Sequence, residues 1–529
     1  MLARSLLASP GAATLVLALL PAVSSAEVRL SAIGSYATGV FAEGAAEIVA
    51  HDPRTQRLFV VNARAASVDV LEIWDPAVPQ WVGTLDVAPH GAVANSVAVR
   101  DGLVAVAVES WVKTDPGRVV FYDAAGLRFL GAVEVGALPD MLVFTPDGRY
   151  VLVANEGEPG DDYAVDPEGS VSVIDMTGGV AGLTQARVRT AGFRAFDASA
   201  RPSSLRVFGP GATLAQDLEP EYVAVSEDSR TAWVTLQESN GLAVVDVEAA
   251  RVTRIVGLGF KNHRAKGNGL DASDRDGAIR IARWPVRGLY LPDAIAAVPY
   301  EGRHYLLLAN EGDSRDYPGF SEEARVGGLR LDPEAFPDAA FLQRAENLGR
   351  LKVTATMGDR DGDGDYDALY SFGARSFSVR SGKGALLYDS GDELERVTAA
   401  ALPDSFNASY DNNRFDDRSD DKGPEPEGLA VGWVGRRRLA FVGLERIGGV
   451  AVYDVTVPFR PAFLTYANNR DFGVSPGPAT VPPASPSTGD LGPEGLLFIG
   501  AEASPNGKPL LVMGNEISGT TTVYEVSAR

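Results

Sequence analysis

The chain has 529 residues, of which 48 are Lys or Arg and 70 are Asp or Glu, and it contains no cysteine. An apolar fraction of 45% can fill one or more cores, which excludes a wholly disordered chain. Without cysteine, disulfide scaffolds, thiolate metal sites and thiol nucleophiles are excluded. The net charge of -22 argues against nucleic acid or anionic lipid as a partner, because both require a basic face. Only four histidines are present, so metal chemistry would rest on oxygen ligands, which suit calcium or magnesium.

Residues 1–26 have the pattern of a signal peptide. Arg4 precedes an apolar run over 12–20, and Ser24 and Ala26 have the spacing that a signal peptidase accepts. An ordinary N-terminal helix is the alternative. No later stretch reaches about 18 consecutive apolar residues, so no membrane span is expected. The pattern predicts an exported protein, periplasmic or secreted, whose mature chain begins near Glu27.

One pattern recurs seven times along the chain, and the copies begin near residues 46, 94, 139, 220, 292, 426 and 493. Typical copies read PDMLVFTPDGRYVLVANEGE and PDAIAAVPYEGRHYLLLANEGD. Each copy contains an acid, a short β-branched run, a polar turn, a second apolar run and usually an acidic exit. Alternation with a period of two, punctuated by Gly, Pro and Asp, indicates strands.

Repeated strand units of this kind cannot bury both faces alone and must stack, which predicts an all-β chain folded as a seven-bladed β-propeller over 27–529. Two separate smaller domains are the alternative. Four copies have a fourth strand and copy seven has none, so the strand-like run 28–36 is expected to complete copy seven and close the ring. The copies average about 70 residues, more than the roughly 40 to 45 of a compact propeller repeat, and the additional residues lie in insertions. The longest insertions run over 196–216, 261–289, 313–367, 403–423 and 470–491.

Acids recur at the start of the first strand and at the end of the second strand of each copy. These two positions lie on the same end of a propeller, because the two strands are antiparallel neighbours. Asn95 and Asn62 are the exceptions. The predicted ring of carboxylates around one end of the axis consists of Glu47, Glu109, Asp140, Glu156, Glu221, Glu238, Asp293, Glu311, Glu427, Glu445, Glu494 and Glu516.

Carboxylates this close cannot all remain ionised unless cations neutralise them. The ring therefore predicts a metal or ligand site, with calcium as the expected cofactor and another divalent metal as an alternative. The simpler explanation is that Pro-Asp and Pro-Glu are good turn residues and the acids are solvated. Turn chemistry accounts for the acids at the strand starts better than for the glutamates that follow the second strands.

A second cation signal lies in the insertion over about 313–370. Its acids form D-x-D-x-D-G-x-x-D, and the candidate ligands are Asp359, Asp361, Asp363, Asp365 and Asp367. Alternating acids on a glycine turn place several oxygens around one ion. Tyr370 occupies the position where an EF-hand requires glutamate, so the run looks like a shorter calcium loop. A solvated acidic turn is the alternative. The weaker acidic runs 271–276 and 416–421 are expected at the surface.

Few basic residues are expected near the ring. They are Arg315, Arg375, Lys422 and Arg446, any of which could clamp a phosphate oxygen, with a surface salt bridge as the alternative for each. The phosphoesterase hypothesis below uses Arg375, Lys422 and Arg446 as the clamps. Two loops match one another, running from Glu156 to Tyr163 and from Glu311 to Tyr317. They could face a single ligand, or reflect repeat duplication alone.

Several longer strings carry a family resemblance, among them GNGLDASDRDG, GDRDGDGDYDALYSFGARSFSV, KGPEPEGLAVG, FVGLERIGGVAVYDV and GNEISGTTTVYEV. They resemble the choice-of-anchor I family of exported bacterial propeller proteins, over essentially the whole mature chain. Members are often labelled alkaline phosphatase, so the resemblance implies phosphoester hydrolysis.

Three functions remain open from the sequence. The first is a multi-metal phosphoesterase in which cations bound by the ring reverse its negative field and admit a small anionic substrate. The second is a non-catalytic, calcium-stiffened module that binds an extracellular ligand. The third is a lactonase-like hydrolase with one axial calcium. No pattern supports a Ser-His-Asp site, and none bears on the oligomeric state.

Overall fold

The computed structural model describes residues 27–199, 201–477 and 488–528. Strands make up 43% of the described residues and helices 8%, which confirms the predicted all-β class. The predicted signal peptide lies outside the described residues. No helix in the described part of the chain combines the length and the apolar content needed to cross a membrane.

Seven four-stranded antiparallel sheets contain most of the strands, and each corresponds to one sequence copy. The sheets are numbered 1 to 7 in the order of the copies, and the four strands of each sheet are given in their order across the sheet. Sheet 1 contains Val49–Asp52, Arg57–Asn62, Ser67–Glu72 and Gln80–Asp86. Sheet 2 contains Val93–Arg100, Leu103–Glu109, Pro116–Asp123 and Phe129–Ala137. Sheet 3 contains Pro139–Phe144, Tyr150–Asn155, Ser170–Asp175 and Val188–Gly192. Sheet 4 contains Pro220–Val225, Thr231–Leu236, Gly241–Asp246 and Arg251–Gly257.

The remaining three sheets have the same order. Sheet 5 contains Ile295–Tyr300, Arg303–Asn310, Ser376–Ser381 and Leu386–Asp389. Sheet 6 contains Pro426–Val434, Arg437–Leu444, Val450–Asp454 and Ala462–Ala467. Sheet 7 contains Pro493–Ile499, Leu510–Asn515, Thr520–Ala528 and, as its fourth strand, Val28–Ala37. The N-terminal strand therefore pairs with the last copy, as the sequence predicted, from Val28 opposite Ala528 to Ala37 opposite Thr520.

The sequence did not identify the last two strands of sheet 5 or the fourth strand of sheet 3. In sheet 5 an insertion of more than 60 residues separates the second strand from the third, which hides the repeat period. Two of the predicted insertions pair to form an additional five-stranded sheet from Phe260–Asn262, Val286–Leu289, Leu369–Ser371, Lys352–Thr354 and Glu323–Arg325. This accessory sheet has its own apolar cluster, which includes Trp284, Phe336 and Leu348.

The remaining elements are short. A two-stranded hairpin is formed by Asp316–Tyr317 and Phe320–Ser321. The α-helices are Leu214–Asp217, Ala339–Leu342 and Glu393–Ala401. Single helical turns of other types occur at Ala63–Ala65, Val180–Gly182, Gln185–Arg187, Arg194–Phe196, Val326–Gly328, Ala345–Gly349 and Pro403–Ser405.

The main core lies between the sheets. A buried apolar cluster joins each sheet to the next, for example sheets 1 and 2 through Phe59 and Val106. A further cluster joins sheet 7 to sheet 1, with Val512 and Val523 against Leu58 and Val60. The first strand of each sheet also contacts the first strand of the next, and the first strand of sheet 7 contacts that of sheet 1. This arrangement brings the beginnings of all seven first strands to one region.

Candidate functional site

The starts of the first strands surround a cavity of about 300 Å³, called the acidic chamber below. Its wall includes Glu47, Asn95, Asp140, Tyr222, Asp293, Glu494 and Glu516. Five of these are acids of the predicted ring, contributed by four different sheets. Asn95, the exception in the sequence pattern, occupies the corresponding position in sheet 2.

Backbone irregularities lie next to these acids. In sheets 3, 4, 6 and 7 the strand register shifts between the proline that begins the first strand and the residue three positions later, so a bulge spans the acid. In sheets 3, 5 and 6 the residue before that proline is left-handed although it is not glycine, with φ of 46° at Leu138, 42° at Leu291 and 49° at Glu425. Bulges redirect side chains and backbone strain concentrates at functional sites, so this repeated geometry marks the chamber as a candidate site.

Two groups of three acids gather most closely. The first trio is Asp140, Glu156 and Glu221, from sheets 3 and 4, and the second is Glu311, Glu425 and Glu445, from sheets 5 and 6. Within each trio, one oxygen of every carboxylate lies within 4.8 Å of the other two. No ion pair to the first trio is present among the described residues, whereas the second trio has cationic partners.

The other predicted acids lie around these trios, with one exception. Burial and repulsion from ring acids such as Glu494 raise the pKa of Glu427, and Glu238 adds to the repulsion on Glu156 and Glu221. Glu238 and Glu427 each have a buried Oε2 without a hydrogen-bond partner. Glu109 lies apart: burial raises its pKa, and the charged groups that affect that pKa are Lys113 and Glu158 rather than ring acids. The structure thus brings eleven of the twelve predicted acids together and leaves Glu109 to one side.

Burial and mutual repulsion raise the pKa values of the chamber acids. Burial and repulsion from Glu158 raise the pKa of Asp140 to about 7. Burial, with repulsion from neighbouring ring acids, raises the pKa of Glu47 to about 9 and that of Glu516 to about 8. It raises the pKa values of Glu156 and Glu221 well above their usual range. A cation bound among these carboxylates would neutralise them and remove the repulsion.

Two of the three predicted phosphate clamps lie beside the second trio. Lys422 donates to Glu311 at 2.5 Å and lies 3.2 Å from Glu425, while Arg446 Nε lies 3.0 Å from Glu445 and 3.3 Å from Glu425. Glu425, which the repeat pattern does not include among the ring acids, accepts from Arg418 at 2.8 Å as well. These three cations hold the pKa of Glu425 well below its usual range despite its burial. Its position directly before the Pro426 strand start was the available signal.

Arg375, the third predicted clamp, does not fit that role. It is buried, and its guanidinium donates to the carbonyl oxygens of Asp271, Ser419 and Asp421 at 2.6 to 2.7 Å and to Glu395 at 2.5 Å. Both terminal nitrogens are therefore occupied by protein groups. The prediction is corrected: Arg375 connects two insertions to the helix Glu393–Ala401.

The two matching loops meet beside the chamber. The rings of Tyr163 and Tyr317 pack edge to face with centroids 5.5 Å apart, and the Tyr317 hydroxyl donates to Glu158 at 2.6 Å. Beneath them, buried Arg315 forms ion pairs with Asp217 and with Glu219, the latter at 2.9 Å. The sequence analysis did not identify Asp217 or Glu219, because they precede sheet 4 in an insertion without a repeat pattern.

The predicted calcium loop gathers three of its five candidate ligands. Asp359, Asp361 and Asp367 form a third close trio, and Asp359 accepts from the backbone of Gly362 at 2.7 Å and of Gly364 at 3.0 Å. Asp363 instead accepts from the backbone of Asp365 at 3.0 Å, and Asp365 pairs with Arg330 at 3.2 Å. The loop is thus partly arranged for a cation, with the side chains of Asp363 and Asp365 directed elsewhere.

A family model described as the choice-of-anchor I domain matches residues 47–458. Two curated animal proteins are similar. Gigasin-3a of Magallana gigas is 34% identical over 194 residues, covering 35% of this chain and 66% of its own length. The mesenchyme-specific cell surface glycoprotein of Strongylocentrotus purpuratus is 27% identical over 279 residues, covering 46% of this chain and 35% of its own length. The chain thus spans less than two thirds of each relative.

Among solved structures, a Kuenenia stuttgartiensis hydrazine synthase overlaps with a TM-score of 0.45 at 13% identity, covering 92% of this chain and 97% of that chain. The β-propeller domain of Myceliophteria thermophila Cps50 (Swd1) overlaps with a TM-score of 0.43 at 8% identity, covering 93% and 100%. A streptogramin B lyase overlaps with a TM-score of 0.45 at 7% identity, covering 95% and 98%. These overlaps are too loose to define the fold or the chemistry of this chain.

Proposed function

Because the chain belongs to the choice-of-anchor I family, we propose that it is an exported, seven-bladed β-propeller module that binds divalent cations in its acidic chamber. The single observation that carries this proposal is the first trio, in which Asp140, Glu156 and Glu221 converge without a positively charged partner among the described residues. One curated relative is by name a cell surface glycoprotein, which favours a role outside the cell.

Ring closure is supported by the contacts between the last and first sheets. They share an apolar cluster, and the N-terminal strand completes sheet 7. The approach is close: a Cβ added to Gly514 would lie 1.9 Å from the carbonyl oxygen of Glu47. Glu47 is thereby held at the chamber by a strand from the other end of the chain.

The residues of the chamber fit a hard cation. All the convergent groups are carboxylates, which are ligands that calcium prefers. Asp140, Glu156 and Glu221 would hold the ion, and Glu238, which has a buried oxygen without a partner, is the available fourth ligand. In the calcium loop, Asp359, Asp361 and Asp367 would hold a separate, structural ion.

We expect the double variant Glu156→Gln, Glu221→Gln to bind fewer calcium ions per chain than the wild type. The amides keep the shape of the side chains and remove the charges that hold the ion. Equilibrium dialysis with metal analysis measures the number, and Glu502→Gln, in a turn of sheet 7, is the matched control. Without calcium the double variant should also be more stable than the wild type, because repulsion is removed. Unchanged calcium stoichiometry would exclude the first trio as a site.

Phosphoester hydrolysis is a second candidate function, favoured by the position of Lys422 and Arg446 beside the second trio. A bound divalent cation would polarise the phosphoryl group and lower the pKa of a water. Lys422 and Arg446 would donate hydrogen bonds to phosphate oxygens. Arg446, the more accessible of the two, stacks on Tyr410 with its guanidinium carbon 4.1 Å from the ring centroid, which fixes its orientation.

We expect hydrolysis of a phosphomonoester by the calcium-loaded protein to be lost on chelation and restored by calcium. Arg446→Met should lower kcat/KM by about 100-fold or more, the usual cost of losing a preorganised donor. Arg460→Met, which removes an arginine from a turn of sheet 6, is the control. Turnover that survives the chelator would contradict a metal-dependent mechanism. Tight calcium binding without turnover would leave the non-catalytic binding module as the function.

A further inference from the structure

A second group of buried oxygens without partners lies away from the chamber, where two insertions meet. Asp271 and Asp416 are each 1% exposed and Asn407 is fully buried. Four oxygens here have no hydrogen-bond partner: Asp271 Oδ1, Asp276 Oδ2, Asn407 Oδ1 and Asp416 Oδ2. The sequence analysis expected the acidic runs 271–276 and 416–421 at the surface, and for Asp271 and Asp416 this was wrong.

Each of these side chains is oriented through its other polar atom. Asp271 Oδ2 accepts from the backbone of Arg280, and Asp276 Oδ1 accepts from that of Ala278 at 3.0 Å. Asp416 Oδ1 accepts from the Ser419 hydroxyl, which itself accepts from Asn407 Nδ2 at 2.9 Å. In each side chain one polar atom is thus anchored, and one oxygen has no hydrogen-bond partner.

Arg375 and Glu395 join the two insertions around this group. The Arg375 guanidinium donates to the carbonyl oxygen of Asp271 in one insertion and to that of Ser419 in the other. Glu395 accepts from the backbone of Asp271 at 3.0 Å through one oxygen and from Arg375 at 2.5 Å through the other. Asp271, Asp276 and Glu395 all lie near enough to Asp416 to raise its pKa by electrostatic repulsion.

These acids have no neutralising partner. No ion pair to Asp271, Asp276 or Asp416 occurs within the described ranges, and the guanidinium of Arg375 is occupied by other acceptors. Burial followed by repulsion from Glu395 raises the pKa of Asp271 to about 7. Burial also raises the pKa of Asp416 to about 8. A buried charge without a partner is strongly unfavourable, and protonation alone would still leave several of the oxygens without a donor.

We propose that Asp271, Asp276, Asn407 and Asp416 bind one calcium ion that fastens the 261–289 insertion to the 403–423 insertion. Three carboxylates and an amide carbonyl form an all-oxygen shell, and calcium tolerates the irregular arrangement that side chains from two loops provide. The oxygens are not gathered as closely as those of the three trios, so binding would draw the two insertions together. In a chain without disulfides, such an ion would supply the missing cross-link between long loops.

The competing explanation is a neutral Asp416 that donates its proton to Asn407. In that case Asp416→Asn would lose little, and calcium would not affect this region. The two explanations differ in their dependence on calcium, which makes them separable in the full-length protein.

We expect Asp416→Asn and Asp271→Asn each to bind one calcium ion fewer per chain than the wild type, measured by equilibrium dialysis and metal analysis near pH 7.5. Asp417→Asn is the matched control, because the adjacent Asp417 pairs with Arg414 at 2.5 Å instead. Its stoichiometry should equal that of the wild type. Asp416→Asn with full wild-type stoichiometry would overturn the proposal.

Hydrogen exchange of the wild type decides the question if the variants do not fold. At free calcium of about 100 times its Kd, peptides over 269–276 and 405–419 should be protected about 100-fold, provided that their opening releases the ion. The chamber variant Glu156→Gln, Glu221→Gln should retain this protection. Loss of the protection in the chamber variant would show that the calcium responsible binds in the chamber, and would refute this second site. Retained protection together with an unchanged number of bound calcium ions in the chamber variant would exclude the chamber as a calcium site and leave this site intact.

Discussion

In the presence of a chelator, the free energy of unfolding is expected to fall as the pH rises from about 5 to about 9. The cause is the set of chamber acids whose pKa values are raised in the folded protein, such as Glu47, from 4.5 to about 9, and Glu516, to about 8. Between the unfolded and folded pKa values, the folded state holds more protons than the unfolded state. Stability therefore decreases with pH in this window, by about 1.4 kcal/mol per pH unit for each extra proton held.

The acids with lowered pKa values act in a different window. Their stabilisation, such as that from Glu425, is complete above the unfolded pKa of about 4.5 and is lost only at lower pH. Between pH 5 and 9, the change in the free energy of unfolding is therefore determined by the acids whose pKa values are raised. A rise in the free energy of unfolding as the pH falls from about 9 to about 5 is therefore the expected sign of these protonated acids.

Calcium should reverse this dependence, because it binds the ionised carboxylates. Urea unfolding at pH 5.5 and at pH 8.5, each with chelator or with calcium, gives the four free energies of unfolding that are compared. We expect calcium to stabilise the protein more at pH 8.5 than at pH 5.5. In the variant Glu156→Gln, Glu221→Gln the decline with pH in chelator should be shallower. A stability that is constant or rises with pH in chelator would show that the chamber acids do not carry the predicted protons.

Replacing Arg315 with Met is expected to destabilise the protein by about 3–5 kcal/mol, the usual cost of breaking a buried ion pair from one side. Arg315 is 2% exposed, and its partners Asp217 and Glu219 are equally buried. The substitution would leave two carboxylates without a cation in the region where the matching loops meet. Urea unfolding at pH 8, with calcium present, measures the difference.

An exposed pair provides the control for this experiment. Lys508 lies 2.7 Å from Glu525 with more than half of its side chain in solvent, so Lys508→Met should cost at most about 1 kcal/mol. The double variant Arg315→Met, Glu219→Met should be more stable than Arg315→Met alone, because one unpaired charge is removed with its partner. If Arg315→Met and Lys508→Met lower the free energy of unfolding by equal amounts, the buried ion pairs of Arg315 do not stabilise the protein as predicted.

The repeat pattern predicted the strands best where the copies are regular. Period-two alternation identified the first two strands of every sheet, and the strand-like run 28–36 was correctly paired with copy seven. The pattern failed in sheet 5, where the accessory sheet interrupts the copy between its second and third strands. A repeat can be recognised from sequence only while its spacing is conserved along the chain.

The amino-acid sequence by itself determined the acids of the chamber, because equivalent positions in stacked repeats must face the same end of the stack. Only the tertiary structure decided the partners of those acids. Glu425, Glu219 and Arg315 come from segments outside the repeat and lie beside the ring acids. Arg375 lies away from the ring, in the contact between two insertions. The insertions follow no periodicity, and long-range packing alone determines where they fold. For the same reason, the carboxyl groups of Asp271 and Asp416, 145 residues apart in the chain, come near enough to repel each other only after folding.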